Sequence, residues 1–317
     1  MQKDKNCKGE SMKNSSDNTI KKIPQRKKLR KWELIFIVTM LAIPVIHWLV
    51  FWLYVNIQSV LLAFQLPKIS QSAPIRWSTL EIERFFANFQ GDGWAIALRN
   101  TIIHFIKDIL MLPLQLFVAY FLYRKIRGYR FYQIVFYLPT IVSGVAMASL
   151  FERLIQPGGP LDSIFPGEFL NFLTMPEYAT ATILLYTIWL GWGGQMLLFG
   201  GALAKIPVEL IESARLDGIG TFREFIYIII PLVWGTASTI IILIMTQMFS
   251  LQGAVLLLGK GGASETQTIG YWIFYKVQLG ASYYNEVSAA GFIFTLVGVP
   301  IIMLIKWLIE RIPVVDY

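Results

Sequence analysis

The 317 residues include one cysteine and two histidines, and only 15% of them are charged. Each shortage removes a class of protein. Cys7 stands alone in a polar N-terminal stretch, which leaves no disulfide framework and no thiolate metal cluster. His47 and His104 both lie within apolar runs, so a histidine-rich metal site is not expected either. No convincing nucleophile–base pair stands out, and no repeat recurs at a fixed period. The scarcity of charge comes with 55% hydrophobic residues and a mean hydropathy of +0.55. A soluble domain needs more polar residues than this to fill its water-facing positions. The net charge of +8 invites a nucleic-acid reading. Its distribution speaks against one: the basic run Lys21–Lys31 abuts an apolar segment and meets no aromatic residue before Trp32. A juxtamembrane anchor attracted to anionic lipid fits better.

What the chain does have is long apolar runs. A helix crosses a hydrocarbon core of roughly 30 Å with about 20 residues. Six segments qualify: Glu33–Phe64, Leu98–Tyr123, Tyr129–Leu150, Ala179–Leu203, Phe225–Phe249 and Val287–Ile309. Pro44, Pro113, Pro139, Pro231 and Pro300 fall within or beside them, which membrane helices tolerate. The polar, Lys-rich residues before Trp32 read as a disordered tail, and the first run as a retained signal-anchor. With the N-terminus inside, twenty Lys/Arg fall on the cytoplasmic side and seven outside, the positive-inside bias. Both termini are therefore expected in the cytoplasm. The outside connections Gln65–Ala97, Phe151–Tyr178 and Ser250–Glu286 are too long for tight turns and predict short interfacial helices, such as Leu80–Phe89.

The most informative stretch joins the fourth and fifth runs. Lys205-Ile-Pro-Val-Glu-Leu-Ile-Glu-Ser-Ala-Arg-Leu-Asp-Gly-Ile-Gly-Thr-Phe-Arg-Glu-Phe reads as a helix–turn–helix on the cytoplasmic side. Pro207 suits a first helical position, and Glu209 and Glu212 complement the positive end of the helix dipole. Gly218 is placed for a left-handed cap. Thr221 with Glu224 predicts a capping box that opens the next helix. A short helix tied to two spanning helices makes a lever that a partner can push.

The pattern Ile206-Pro207-x-Glu209-Leu210-x-Glu212-Ser213-Ala214-x-x-Asp217-Gly218, followed by Ile230-Pro231, resembles the EAA loop of ABC-importer permeases. Ser213 departs from it, because the family has alanine there. Asn100-Thr101 at the second span, Gly128–Phe131 with Tyr137-Leu138-Pro139 in the third, and the run Trp189–Ala204 agree with the family in order. The best match is its maltose/polysaccharide branch. The resemblance implies an all-α membrane protein with six transmembrane helices, the type I ABC-importer permease fold and a cytoplasmic coupling helix. It divides the chain into a tail (1–31), a permease domain (32–311) and a short cytoplasmic C-terminus (312–317). It implies half of a translocation pathway for a carbohydrate delivered by an extracytoplasmic binding protein. A second permease, two ATPase subunits and the lipid of a bacterial cytoplasmic membrane complete the expected partners. No cofactor is expected on this chain and no hydrolysis by it; ATP-Mg belongs to the partners. Glu209, Glu212, Ser213, Ala214, Asp217 and Gly218 carry the coupling role. An ion-coupled secondary transporter, or an ABC permease for another solute, are the rival readings.

Other residues admit two readings each. Trp189, Trp192 and Gln195, with Tyr186, Gln115 and Gln247, either line a sugar path or pack beside the glycines Gly191, Gly193, Gly194, Gly200 and Gly201. His104, Lys107 and Asp108 are ionisable groups inside a span, a functional hypothesis by default. The favoured reading has Lys107 snorkelling outward and Asp108 paired with His104 or a neighbouring helix. Gly253–Gly261 superficially suggests a phosphate-binding loop. Five residues separate its glycines instead of four, and Gly261 stands where Ser or Thr is required. It is expected to form a re-entrant or interfacial loop.

Overall fold

The computed structural model describes residues 31–67, 74–88, 93–164, 172–259 and 265–312. The predicted tail up to residue 30 and the final five residues lie outside them, as does part of the Gly253–Gly261 loop. In chain order the helices are α1 (Lys31–Ala63), α2 (Leu80–Asn88), α3 (Trp94–Tyr123), α4 (Tyr129–Ile141), α5 (Gly144–Ile155), α6 (Pro160–Ile164), α7 (Pro176–Leu203), α8 (Val208–Leu216), α9 (Thr221–Ser250), α10 (Gly253–Leu258), α11 (Ile269–Gln278) and α12 (Ala281–Glu310). No strand occurs among the described residues; Gln65 and Trp77 form an isolated bridge.

Five of these, α1, α3, α7, α9 and α12, are long and apolar enough to cross a membrane. At about 1.5 Å per residue the 30-residue α3 extends about 45 Å. The third predicted span is not a single helix. It breaks between Ile141 and Gly144, and the two arms meet at 108°. Val142 and Ser143 are extended there, with ψ of 147° and 130°. The β-branched run Thr140-Ile141-Val142 follows Pro139, whose missing N–H already weakens the turn. Ser143-Gly144 then opens a new helix, with the Met147 N–H bonded to the Ser143 carbonyl. Hydropathy is continuous across this break, so apolarity alone cannot reveal it. Arm α4, with 13 residues or roughly 20 Å, is too short to cross by itself.

The chain divides into two compact units, ending and beginning at Asn56 and Ile57. The first is helical from Lys31, with a π-helical stretch at Trp48–Tyr54 where Trp48 and Trp52 stack at 5.2 Å. None of its described residues is buried.

The second unit is built on α3 and α7, which pack along their lengths with α4 and α9 against them. Its main core gathers Leu112, Leu116, Tyr120, Met196, Phe199, Leu203, Val233 and Ile240. Close approach of α7 to α4 depends on Gly193: a Cβ there would meet the Phe136 carbonyl at 2.8 Å and the Thr140 hydroxyl. The other four glycines of α7 face open space. Many large apolar side chains on the outer faces, among them Leu110, Leu114, Leu197 and Met303, are exposed, as lipid-facing positions require.

At one end of the bundle, polar side chains tie the connecting segments down. Asn100 Nδ2 donates to the carbonyls of Glu265 (2.7 Å) and Gln267 (3.0 Å), and the Ile269 N–H donates to Thr101 Oγ1 at 3.0 Å. The pair that marked the start of the second span thus clamps the segment leading into α11. Leu80–Asn88 is the short helix expected before α3, and Gly253–Leu258 forms one within the last long connection.

Candidate functional site

The connection between α7 and α9 folds as a helix and a turn. α8 begins one residue after Pro207, which is the residue preceding the helix and not its first helical position (φ −58°, ψ 132°). Gly218 takes the left-handed conformation (φ +76°). Its N–H bonds the Arg215 carbonyl at 3.0 Å, and the Ile219 N–H reaches back to Ala214 at 3.1 Å. That pair of bonds is a Schellman cap, which satisfies carbonyls the helix end would leave open.

The predicted capping box between Thr221 and Glu224 does not form. Gly220 precedes the helix, and its carbonyl accepts from the Glu224 N–H at 2.9 Å. Both side chains are engaged elsewhere: Arg124 donates to Thr221 Oγ1 at 2.8 Å, and Tyr120 donates its hydroxyl to Glu224 Oε1 at 2.8 Å. Arg215 Nε also reaches Glu224 Oε2, at 3.3 Å. A carboxylate only 1% exposed needs these donors, because an unpartnered buried charge is costly by several kcal/mol. α9 then passes through a π turn at Phe225–Ile229, just ahead of Pro231, where the wider turn makes room for the ring.

Of the six residues assigned to coupling, Ala214 is buried and the other five are exposed. Ile211 joins Leu203, Ile206, Tyr120 and Phe225 in the main core, so α8 is anchored by one face. The opposite side presents Glu209, Glu212 and Asp217, none of which pairs with a cation among the described residues. Beside them Leu216 is 89% exposed, and Val208 and Phe222 are exposed as well. Ser213, in the position where an alanine was expected, donates its hydroxyl to the Leu210 carbonyl of its own helix at 3.0 Å. Its polarity is thereby absorbed locally.

The substrate-path residues divide. A cavity of about 220 Å³ is lined by Thr101, His104 and Asp108 of α3, Gln195 of α7, and Gln247 and Ser250 of α9. His104 is 2% exposed, and its Nδ1 has no hydrogen-bond partner among the described residues. Gln115 donates to the Gly191 carbonyl at 3.0 Å, bracing α3 against α7 beside a small neighbouring pocket. Tyr186 is buried, with its hydroxyl 3.2 Å from the Gly144 carbonyl, and Trp189 and Trp192 pack against Phe151 and Phe136. Lys107 does not snorkel and Asp108 does not pair with His104. The Lys107 ammonium, 13% exposed, sits 2.6 Å from the Asp108 carboxylate and 3.3 Å from the Thr187 hydroxyl. An oppositely charged neighbour on its own helix makes turning inward less costly than reaching out.

No protein-family model matches the chain. A probable ABC transporter permease of Mycoplasma pneumoniae, the MG188 homolog, is 30% identical over 236 residues, 68% of each chain. The polygalacturonan/rhamnogalacturonan transport system permease protein YteP of Bacillus subtilis is 24% identical over 239 residues, covering 73% of this chain and 74% of YteP. Among solved structures, a chain of the bacterial alginate ABC transporter in complex with alginate pentasaccharide-bound periplasmic protein superposes with a TM-score of 0.71. At 21% identity, that match covers 87% of this chain and 96% of the other. The described residues form a helical, multiply spanning membrane protein with an anchored helix between two of its spans, and the 30% identity over two thirds of both chains shows that this one belongs to the ABC transporter permeases.

Proposed function

We propose that this chain forms half of the translocation pathway of an ATP-driven importer for a carbohydrate, handed over by an extracytoplasmic binding protein. The observation that carries the reading is α8: one face is locked into the core, and the other offers Leu216 and three unpaired carboxylates to a partner. An exposed apolar residue rimmed by charge is the pattern of a protein-docking surface. ATPase subunits dock there and supply the energy, while the permease itself hydrolyses nothing. The cavity supports the choice of solute. Hydroxyl, amide, imidazole and carboxylate groups converge on it from three helices, an array suited to a polyhydroxylated ligand. Its volume lies below the roughly 300–1,000 Å³ of complete small-molecule sites, as expected of one wall of a cavity shared with a second permease. YteP and the alginate transporter favour a sugar, and the latter's periplasmic protein favours delivery by a binding protein.

The test is affinity purification of the tagged chain in mild detergent. An ATPase should co-purify, and should be lost when residues 209–218 are replaced by a Gly/Ser linker of equal length in a chain that still inserts. Recovery of the chain alone, active for transport in liposomes without ATP, would support an ion-coupled secondary transporter instead.

A further inference from the structure

Glu224 lies outside the EAA-like pattern, yet it is the most deeply placed carboxylate near α8. Its two oxygens accept from residues on two other elements: Oε1 from Tyr120 on α3, and Oε2 from Arg215 on α8. A second bond path runs beside it, because Arg124, the residue just past the end of α3, reaches both the Tyr120 hydroxyl (3.3 Å) and Thr221 (2.8 Å). Three elements are thereby joined through one buried carboxylate: α8, the start of α9, and the end of α3.

The covalent route from α8 is much softer. Toward α9 it passes through Asp217-Gly218-Ile219-Gly220, two of which are glycines, and toward α7 through the short segment Ala204-Lys205-Ile206-Pro207. Nothing in the chain leads from α8 directly to α3. Ile211 of α8 packs in the same core as Tyr120 of α3, but apolar packing is non-directional, so a push on α8 is passed on in register only where a directional polar connection accompanies it. Glu224 is 1% exposed, and charge-assisted hydrogen bonds to a carboxylate withdrawn from water are stronger and more directional than ordinary contacts.

We infer that Tyr120, Glu224 and Arg215 form a latch that transmits displacement of α8 to α3. This rests on the coupling reading given above. Glu224 is a positioning residue in this scheme: it touches neither ATP nor solute. Its work is to make the ends of α3 and α9 move with α8, so that Asp108 and His104, which lie roughly three and four and a half turns from Tyr120 along α3, shift relative to Gln195.

The experiment uses the full complex of permeases and ATPases in liposomes, with Cys7→Ser removing the only native thiol of this chain. Met111→Cys places a reporter on α3 where it borders the smaller pocket, and a water-soluble maleimide reads its accessibility. ATP with vanadate is expected to change the labelling rate several-fold. Arg215→Met and Tyr120→Phe should each cut that change to below twofold while the ATPase still co-purifies. The double variant should be no worse than either single one, and Arg215→Lys should restore most of the response. Arg215 is half exposed and Tyr120→Phe removes only one oxygen, so both variants should insert normally.

An undiminished labelling change in both variants overturns the latch. So does additivity of the two losses, or loss of the ATPase in Arg215→Met, which would make Arg215 a docking contact. If ATP leaves the Met111→Cys chain unchanged although the ATPase is bound, α3 does not respond and the latch falls while the coupling reading stands. If no ATPase binds the unaltered chain, the coupling reading itself fails and the latch with it.

Discussion

Single residues decide whether α8 has a defined end. Gly218 sits at φ +76°, yet a Cβ built there meets nothing within 4 Å. The demand for glycine is therefore conformational and not steric. A β-branched residue in the left-handed region costs roughly 1–2 kcal/mol, enough to open the cap and release Asp217 and Leu216 from their positions. Gly218→Val is expected to lower ATPase co-purification and ATP-driven transport about tenfold at unchanged membrane insertion. Gly218→Asn should retain most of both. Normal transport by Gly218→Val would show that the cap is dispensable. Gly218 was legible from its place after Leu-Asp, since only a few residue types end helices this way. Glu224 was not: Thr-x-x-Glu is also a capping box, and local spacing cannot reveal that Tyr120, 104 positions earlier, takes the carboxylate.

Among the elements, the connections matter as much as the spans. The segment 265–269 is held against α3 by Asn100 and Thr101, with Gln267 Nε2 returning a bond to the Gly93 carbonyl at 3.1 Å. Replacing Asn100 by leucine would remove the donor to the Glu265 and Gln267 carbonyls, two hydrogen bonds worth roughly 0.5–1.5 kcal/mol each. Hydrogen exchange at the amides of Thr268 and Ile269 should accelerate at least tenfold in Asn100→Leu, while the amides of α7 keep their protection. Equal rates in the two chains would remove the clamp. Five of the six spans could be read from hydropathy within a few residues. The third could not, since α4 and α5 form one apolar run whose 108° bend comes from Pro139, the β-branched residues after it and the Ser-Gly pair. Likewise Lys107 reads as a snorkelling residue until its distance to Asp108 is known.

For the whole molecule, the positive-inside count makes a topological prediction. Cys7 and a Leu216→Cys thiol should react with an impermeant maleimide from the same side of sealed vesicles, and Leu256→Cys of α10 only from the other. Reaction of Leu256→Cys and Leu216→Cys from one side would overturn the arrangement. Local patterns in the chain are enough to establish that it lives in a membrane, how many apolar runs it has, and where a helix–turn–helix interrupts them. These are properties of composition, length and short-range spacing, and a bilayer enforces them without reference to neighbours. Tertiary structure alone decided which polar side chains meet. Gln195 and Gln247 share a cavity with His104 and Asp108, whereas Gln115 and Tyr186 brace helices. A buried polar group must find a partner wherever the packing brings one, and that choice depends on helix rotation and crossing, which no local pattern records.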